Sequence, residues 1–327
     1  MPAARQFGPL PVLGLWAAFT LAGTLYASWL GYGGRAFAAT LTAFAFYFLV
    51  MLLFAARGIS DSLASRLGLG GGFLLGSTAF LVYLIYVLGT NTFTFGRAGI
   101  VAGLVFLPLT LAASAERNPP GHWQDFLILS GVWVSVTFLP SHWLWAYPGG
   151  RLSYVFTILL CVNATLGPFL LIRRVAGVGY SVGWGPRWGL YIAGSFLIFG
   201  CIAIPLGTAM HFIQFAPRWD AWKSLFSAAP AILLFTAWPE EFFFRGLLQN
   251  MLSRVSKSDL AGWWTASVIF GLSHITKGGF PNWRYVLLAS IAGIFYGWTW
   301  RKTCSIFASA IVHAAVDLTW HFLFRTI

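Results

Sequence analysis

The chain has 327 residues, of which 58% are hydrophobic and only 9% are charged, and its mean hydropathy is +0.77. Soluble domains average about 25% charged residues, so this composition excludes an ordinary soluble protein and indicates a polytopic membrane protein. The net charge is +12, but the Lys and Arg residues stand singly or in pairs between apolar runs, as in membrane loops, which argues against a nucleic-acid partner.

Apolar runs long enough to span a bilayer recur along the whole chain. They lie near residues 10–30, 36–56, 72–89, 98–115, 124–140, 153–172, 189–211, 224–252, 259–275, 283–300 and 304–324. A spanning helix needs about 20 predominantly apolar residues, so the pattern predicts an all-α fold, a polytopic transmembrane helix bundle of about 11 helices, or about 10 if the weak run 124–140 does not span. The first run follows Arg5 and is interpreted as a spanning helix, with a signal peptide as the alternative.

The distribution of basic residues predicts the orientation. If the chain crosses the membrane eleven times, the loops on the same side as the N-terminus contain more Lys and Arg than the loops on the opposite side. Cytoplasmic loops carry an excess of these residues, so the N-terminus is expected in the cytoplasm.

Two regions differ in the polar residues that interrupt their apolar runs. Residues 1–215, about seven helices, contain almost no ionisable side chain inside a predicted span, and Asn163 is interpreted as a contact between helices. Residues 220–327, about four helices, carry glutamate, arginine, histidine and aspartate at membrane depth. We assign no role to the first region and expect the chemistry in the second.

The first polar motif is a pair of adjacent glutamates within the apolar stretch 231–248. An ionised carboxylate near the bilayer centre costs roughly 2.5–3.5 kcal/mol, so such residues are functional by default. Glu241 and Arg245 are one turn apart and can form an ion pair, which leaves Glu240 free to face a cavity. Pro239 lacks a backbone N–H donor and can kink the helix. A purely structural ion pair is the alternative, but it accounts for one carboxylate and not two.

Two further motifs place a histidine one helical turn from a second residue. Phe270 and His274 end one apolar run, and His313 and Asp317 share one face of the last run. An aspartate can orient an imidazole and set its tautomer. The alternatives are an interfacial histidine at position 274 and, at the last helix, a local hydrogen bond with no further role.

Small residues recur on one face of the run 283–300, at Ala289, Gly293 and Gly297. Such a stripe permits close approach of two helices in a membrane. We therefore predict that this run packs closely within the bundle that holds the motif helices.

The motifs form an ordered series: Glu-Glu-x-x-x-Arg at 240–245, Phe-x-x-x-His at 270–274 and His-x-x-x-Asp at 313–317. In this order and spacing the chain resembles the CAAX protease and bacteriocin-processing family (CPBP, also called Abi), which includes the type II CAAX prenyl endopeptidases. The resemblance covers residues 220–327, the last third of the chain. Family members carry Asn or Asp at the end of the third motif, and this chain has Asp317.

The resemblance implies an intramembrane endopeptidase of the glutamic type, built on a helix bundle with a polar cavity. Glu240 and His274 would activate a water molecule for attack on a peptide carbonyl. Glu241 and Arg245 would hold Glu240 in place.

The third motif would stabilise the oxyanion that develops on the attacked carbonyl. Imidazole donors suit this task, but an ionised Asp317 cannot donate a hydrogen bond, so it must be protonated or must act by orienting His313. The expected partners are the lipid bilayer and a peptide or protein substrate, for which a hydrophobic C-terminal tail is one candidate. We expect an integral, multi-pass protein of a bacterial cytoplasmic membrane.

No cofactor is expected, with zinc as the alternative. Glutamate and histidine are both zinc ligands in proteins, and a metal-dependent enzyme would use Glu240, His274 and His313. The H-E-x-x-H spacing of zinc peptidases is absent from the sequence, and similar family members are usually treated as metal-free.

Two functions of other classes stay open. A proton-coupled transporter also carries Glu, His and Asp within its spans, but here these residues are confined to one third of the chain, and no pair of broken helices recurs in two halves. A non-catalytic bacteriocin-immunity or assembly protein with the same fold would not need Glu240 once Glu241 pairs with Arg245.

Overall fold

The computed structural model describes residues 5–327, which form two compact units: residues 6–175, and residues 176–327 together with Arg5. Regular structure is almost entirely helical, which confirms the prediction of an all-α helix bundle. Every apolar run of the sequence corresponds to a helical segment and extends at most three residues beyond its ends. By length and composition, seven helices of the described part are candidates to cross a membrane, as expected for a multi-pass protein: Pro9–Trp29, Gly34–Phe54, Gly68–Gly89, Phe95–Ser114, Arg151–Ile172, Trp188–Ala209 and Ile306–Leu323.

The unit of residues 6–175 is a bundle around one buried helix. Its elements, after the short strand β1 (Arg5–Gln6), are α1 (Pro9–Trp29), α2 (Gly34–Phe54), α3 (Ile59–Arg66), α4 (Gly68–Gly89), α5 (Phe95–Ser114), α6 (Trp123–Phe138), α7 (Ser141–Leu144) and α8 (Arg151–Leu166), which continues as a π-helix over Gly167–Ile172. Helix α8 is the central one, since 94% of its apolar window is buried. In α8, Asn163 donates hydrogen bonds to the carbonyl oxygens of Tyr47 and Leu159, which confirms its interpretation as a helix contact.

Helix α3 lies where the sequence predicted a break between apolar runs. Its eight residues are too few and too polar for a hydropathy signal. Asp61 in its first turn and Arg66 in its last turn complement the helix dipole, which stabilises a short helix of this kind.

The unit of residues 176–327 contains all three polar motifs. Its elements are β2 (Gly183–Trp184), α9 (Trp188–Ala209), β3 (Ile213–Phe215), a 3₁₀ turn (Trp219–Ser224), α10 (Leu225–Ile232), α11 (Trp238–Glu241), α12 (Asn250–Ser256), α13 (Asp259–Leu272), α14 (Trp283–Thr303), α15 (Ile306–Leu323) and β4 (Phe324–Thr326). Strands β3 and β4 pair antiparallel, with Gln214 opposite Arg325.

One continuous helical segment carries the paired glutamates. Two π-helical stretches, Leu233–Ala237 and Phe242–Gln249, join α10 to α11 and α11 to α12. Pro239 contributes no backbone N–H, and the chain continues past it by a change of helix type on either side of α11. Widened turns of this kind occur frequently at functional sites.

Helix α9 belongs to the same compact unit as the motif helices. Our sequence division at 215–220 groups it with the N-terminal region, because it carries no ionisable residue. In the structure it packs against α14 and α15, and Ser195 of α9 lies 2.6 Å from Thr299 of α14, Oγ to Oγ1. The compact unit therefore begins at Ala176 and includes one more helix than the motifs alone indicate.

The small-residue face of α14 packs closely within the bundle, as the sequence predicted, and the structure shows that α13 is a partner. A Cβ added at Gly293 would lie 3.0 Å from the Cα of Ser267 on α13, and one at Gly297 would lie 2.6 Å from the Trp263 side chain. Only glycine permits this close approach of α14 to α13. The contact fixes the position of α13, which carries the second motif, against α14, which leads to the third motif on α15.

Candidate active site

Glu241 is the centre of a buried polar cluster. Its Oε2 lies 3.2 Å from Nε of Arg245, which is the ion pair predicted from the spacing. The same oxygen is 2.5 Å from Oγ of Ser309, and Oε1 is 2.9 Å from Nδ1 of His313. The Glu241 and Arg245 side chains are completely inaccessible to solvent. Glu241 therefore connects the first motif to the third, in addition to pairing within its own helix.

His313 has a carboxylate next to each ring nitrogen. Because a carboxylate only accepts, Nδ1 donates to Glu241. Nε2 lies 3.6 Å from Oδ2 of Asp317 and 3.9 Å from Oε2 of Glu240. The sequence suggested Asp317 as the residue that sets the tautomer of His313; in the structure Glu241 holds Nδ1, and Asp317 lies on the opposite side of the ring.

Glu240 differs from its neighbour in having an unused oxygen. Its residue is 8% exposed, and its buried Oε2 has no hydrogen-bond partner within residues 5–327. Buried polar atoms are nearly always hydrogen-bonded to protein or to ordered water. The 3.9 Å between Oε2 and Nε2 of His313 exceeds a direct hydrogen bond, so this buried oxygen keeps an unused acceptor position.

His274 lies two residues beyond the end of α13 and is buried, so the interfacial alternative does not describe its surroundings. Its Nδ1 lies 2.9 Å from the carbonyl oxygen of Phe270, which can only accept, so Nδ1 carries the hydrogen and Nε2 keeps a lone pair. The ring packs between Phe270 and Tyr285, at centroid distances of 4.9 and 5.0 Å.

A cavity of about 710 Å³ brings the second and third motifs together. His274, His313 and Asp317 border it, and Asp317 has the most accessible carboxylate of the cluster, with 37% of its side chain exposed. The remaining wall is mainly apolar and is contributed by α9, α14 and α15, including Phe199, Ala203, Leu288, Ala292 and Trp320. An extended, apolar segment of peptide could therefore lie beside several proton-transferring groups.

The structure adds two residues that the sequence interpretation missed. Ser309 precedes His313 by one turn of α15, so helical periodicity could have found it. Tyr296 stacks on the His313 ring, with centroids 4.6 Å apart and an angle of 15°. Tyr296 lies in α14 next to Gly297 of the small-residue stripe, and no spacing pattern in the sequence distinguishes it as a site residue.

The metal-dependent alternative needs three ligands that converge. Within residues 5–327, no group of three His, Cys, Asp or Glu side chains is arranged to hold a metal ion. The set Glu240, His274 and His313 therefore does not fit a three-ligand site, and we derive no step through a metal.

Comparison with known proteins identifies the segment that contains these motifs. Residues 221–319 match a family model described as type II CAAX prenyl endopeptidase Rce1-like. No curated protein and no solved structure matches the chain.

Proposed function

Since residues 221–319 belong to the CAAX protease (CPBP) family, we propose that this multi-pass membrane protease cleaves its substrate with a water molecule activated by Glu240 and His274. Family membership makes the protein a CAAX-type endopeptidase that acts on protein or peptide substrates. The observation that carries the finer proposal is the contrast between the two glutamates: Glu241 is fully engaged, whereas Oε2 of Glu240 has no protein partner within residues 5–327.

The water molecule would be held between Glu240 and the cavity. Glu240 accepts one of its protons, and the oxygen attacks the carbonyl carbon of the scissile bond to give a tetrahedral intermediate. His274 orients the water through the lone pair on Nε2. The proton then passes to the amide nitrogen, the C–N bond breaks, and the two products are a carboxylic acid and an amine.

His313 would stabilise the oxyanion. Glu241 fixes the ring through Nδ1, and the stacked Tyr296 fixes its plane. With carboxylates on both sides, the ring can act as an imidazolium that donates from both nitrogens. Asp317, whose Oδ2 is 3.6 Å from Nε2, would be an ion-pair partner of this imidazolium until the oxyanion forms. Loss of one such donor typically costs about 2.7–4 kcal/mol of transition-state stabilisation.

The substrate we propose is a peptide with a hydrophobic C-terminal tail, in agreement with the mainly apolar wall of the cavity. The test is a cleavage assay on purified protein in proteoliposomes. Reporter peptides with a prenylated or an apolar C-terminus are compared with a polar peptide of equal length, and products are identified by mass spectrometry.

We expect cleavage of an apolar-tailed reporter and none in a His274→Ala/His313→Ala variant. The same proteoliposomes, loaded with a pH-sensitive dye, test the transporter alternative. Proton flux in the absence of any cleavage would replace the peptidase proposal.

A further inference from the structure

A second cavity, of about 590 Å³, lies at the other ends of the motif helices. It is bordered by the C-terminal end of α12, the start of α13 and the C-terminal end of α14. His274 follows α13 at its far end, fifteen residues beyond Asp259, which corresponds to roughly 20 Å along a helix. This cavity is therefore separate from the candidate active site.

Three basic side chains line this cavity: Arg254, Arg301 and Lys302. One acidic residue, Asp259, accompanies them. Among residues 5–327, none of these four takes part in an ion pair, since every ion pair of the described part lies elsewhere. The cavity thus carries uncompensated positive charge.

Neutral groups hold the cations in position. Arg254 donates from Nε to the side-chain oxygen of Asn250 and from Nη2 to the carbonyl oxygen of Ala176, which leaves Nη1 for a ligand. The guanidinium of Arg301 lies over the Trp263 ring at 4.8 Å. Arginine in such a fixed orientation suits the two-point recognition of a phosphate group.

Aromatic and aliphatic surface adjoins the basic groups. Trp263 and Trp300 are fixed by hydrogen bonds from their indole nitrogens to backbone carbonyls, and Trp298 completes the ring wall. Beside the cavity, Leu260 and Trp264 on α13 are 57% and 51% exposed. Tryptophan is enriched at the headgroup depth of membranes, where one part of the ring contacts acyl chains and the other part contacts water.

We propose that this cavity binds the headgroup phosphate of an anionic phospholipid. The phosphodiester would lie between Arg254, Arg301 and Lys302, and the acyl chains would cover Leu260 and Trp264. Basic pockets at the ends of transmembrane helices bind anionic headgroups by this combination of charge and apolar surface. A lipid bound there bridges the ends of α12, α13 and α14 and stabilises the arrangement of the motif helices.

The test uses the full chain purified in a neutral detergent. Phosphatidylglycerol, phosphatidylcholine and inorganic phosphate are titrated separately, and binding is followed by native mass spectrometry and by the shift in melting temperature. We expect saturable binding and a raised melting temperature with phosphatidylglycerol alone. Equal binding of phosphatidylcholine would overturn the role of the charges, and displacement of the lipid by millimolar phosphate would overturn the lipid as occupant.

A matched pair of double variants tests the location. Arg301→Ala/Lys302→Ala removes two charges from the cavity, and Arg218→Ala/Lys223→Ala removes two exposed charges that line neither cavity. Each basic residue near an anionic headgroup contributes about 1 kcal/mol, a factor of about five in affinity, so the first variant should bind about 25-fold more weakly and the second unchanged.

An equal loss of phosphatidylglycerol affinity in both double variants would show that the lipid is attracted by the overall charge and not by this cavity, and would overturn the proposal. If the first variant does not fold, Lys302→Gln at an exposed position serves instead. It should weaken binding about fivefold, and unchanged affinity would count against the site.

Discussion

Oε1 of Glu241 lies 2.9 Å from Nδ1 of His313, and this contact joins the first polar motif to the third across 72 positions of the chain. It gives the two adjacent glutamates different tasks. Glu241 has three partners and no solvent exposure, so it holds the cluster together. Glu240 is the carboxylate with an oxygen left for chemistry.

Removal of either member of the Glu241–Arg245 pair should destabilise the protein as well as inactivate it. Glu241→Ala or Arg245→Ala leaves an uncompensated charge in a fully buried position, which typically costs about 3–5 kcal/mol. Melting temperature and folded yield in detergent measure the effect, with the exposed Glu116→Ala as the control that should not change. A wild-type melting temperature for either buried variant would show that the pair does not support the fold.

Local spacing in the sequence predicts local contacts of this site and misses the distant ones. The Glu241–Arg245 pair follows from a separation of four residues on a helix. The contact between Glu241 and His313 depends on how α11 packs on α15, and no periodicity encodes that. The place of Asp317 beside Nε2 of His313 is local as well, because the two residues are four positions apart on α15.

The fold shows the same limit. Long apolar runs predict the eleven helical segments because burial in lipid requires length and hydrophobicity. The apolar runs do not assign α9 to the unit of residues 176–327, because its packing on α14 and α15 depends on the shapes of the contacting side chains. The short helix α3 is invisible to the same criterion, because it is too short and too polar.

The close contact of α13 and α14 should depend on Gly293. In Gly293→Ala the new methyl group would meet the backbone of Ser267, which cannot move aside as a side chain could, and overpacking of this kind costs about 1–3 kcal/mol. Gly194→Ala on α9 is the control, because nothing lies within 4 Å of its added Cβ. We expect a lower melting temperature for Gly293→Ala only. Equal melting temperatures for Gly293→Ala and Gly194→Ala would contradict the described packing of α13 on α14.

Cleavage should survive removal of divalent metal. Incubation with a strong zinc chelator is expected to leave the rate unchanged, and elemental analysis of the purified protein is expected to find far less than one zinc per chain. The control is a zinc peptidase treated in parallel. Stoichiometric zinc that is lost together with activity would replace the glutamic mechanism with attack by a metal-bound hydroxide.

The candidate active site should open to the outside of the cell. Lys257 and Lys277 are exposed at opposite ends of α13, and the cavity adjoins the end near Lys277. If the basic loop at Lys257 is cytoplasmic, as the excess of Lys and Arg indicates, Lys277 faces outward.

Cysteine labelling of intact cells measures this orientation. Lys257→Cys and Lys277→Cys are compared in a background that lacks Cys161, Cys201 and Cys304, and the reagent does not cross the membrane. We expect labelling at position 277 only. Labelling at 257 with protection at 277 would place the site on the cytoplasmic side.

The rate of peptide cleavage by Glu240→Gln tests the account most directly. Glutamine nearly matches glutamate in shape but cannot take a proton from water, and loss of a general base typically lowers the rate about 10²–10⁴-fold. The control is Asp317→Asn, which should keep measurable activity because the family pattern that the motifs resemble has either Asn or Asp at the end of the third motif. We predict that Glu240→Gln retains the wild-type melting temperature and loses cleavage; turnover at the wild-type rate in this variant would contradict Glu240 as the residue that activates water.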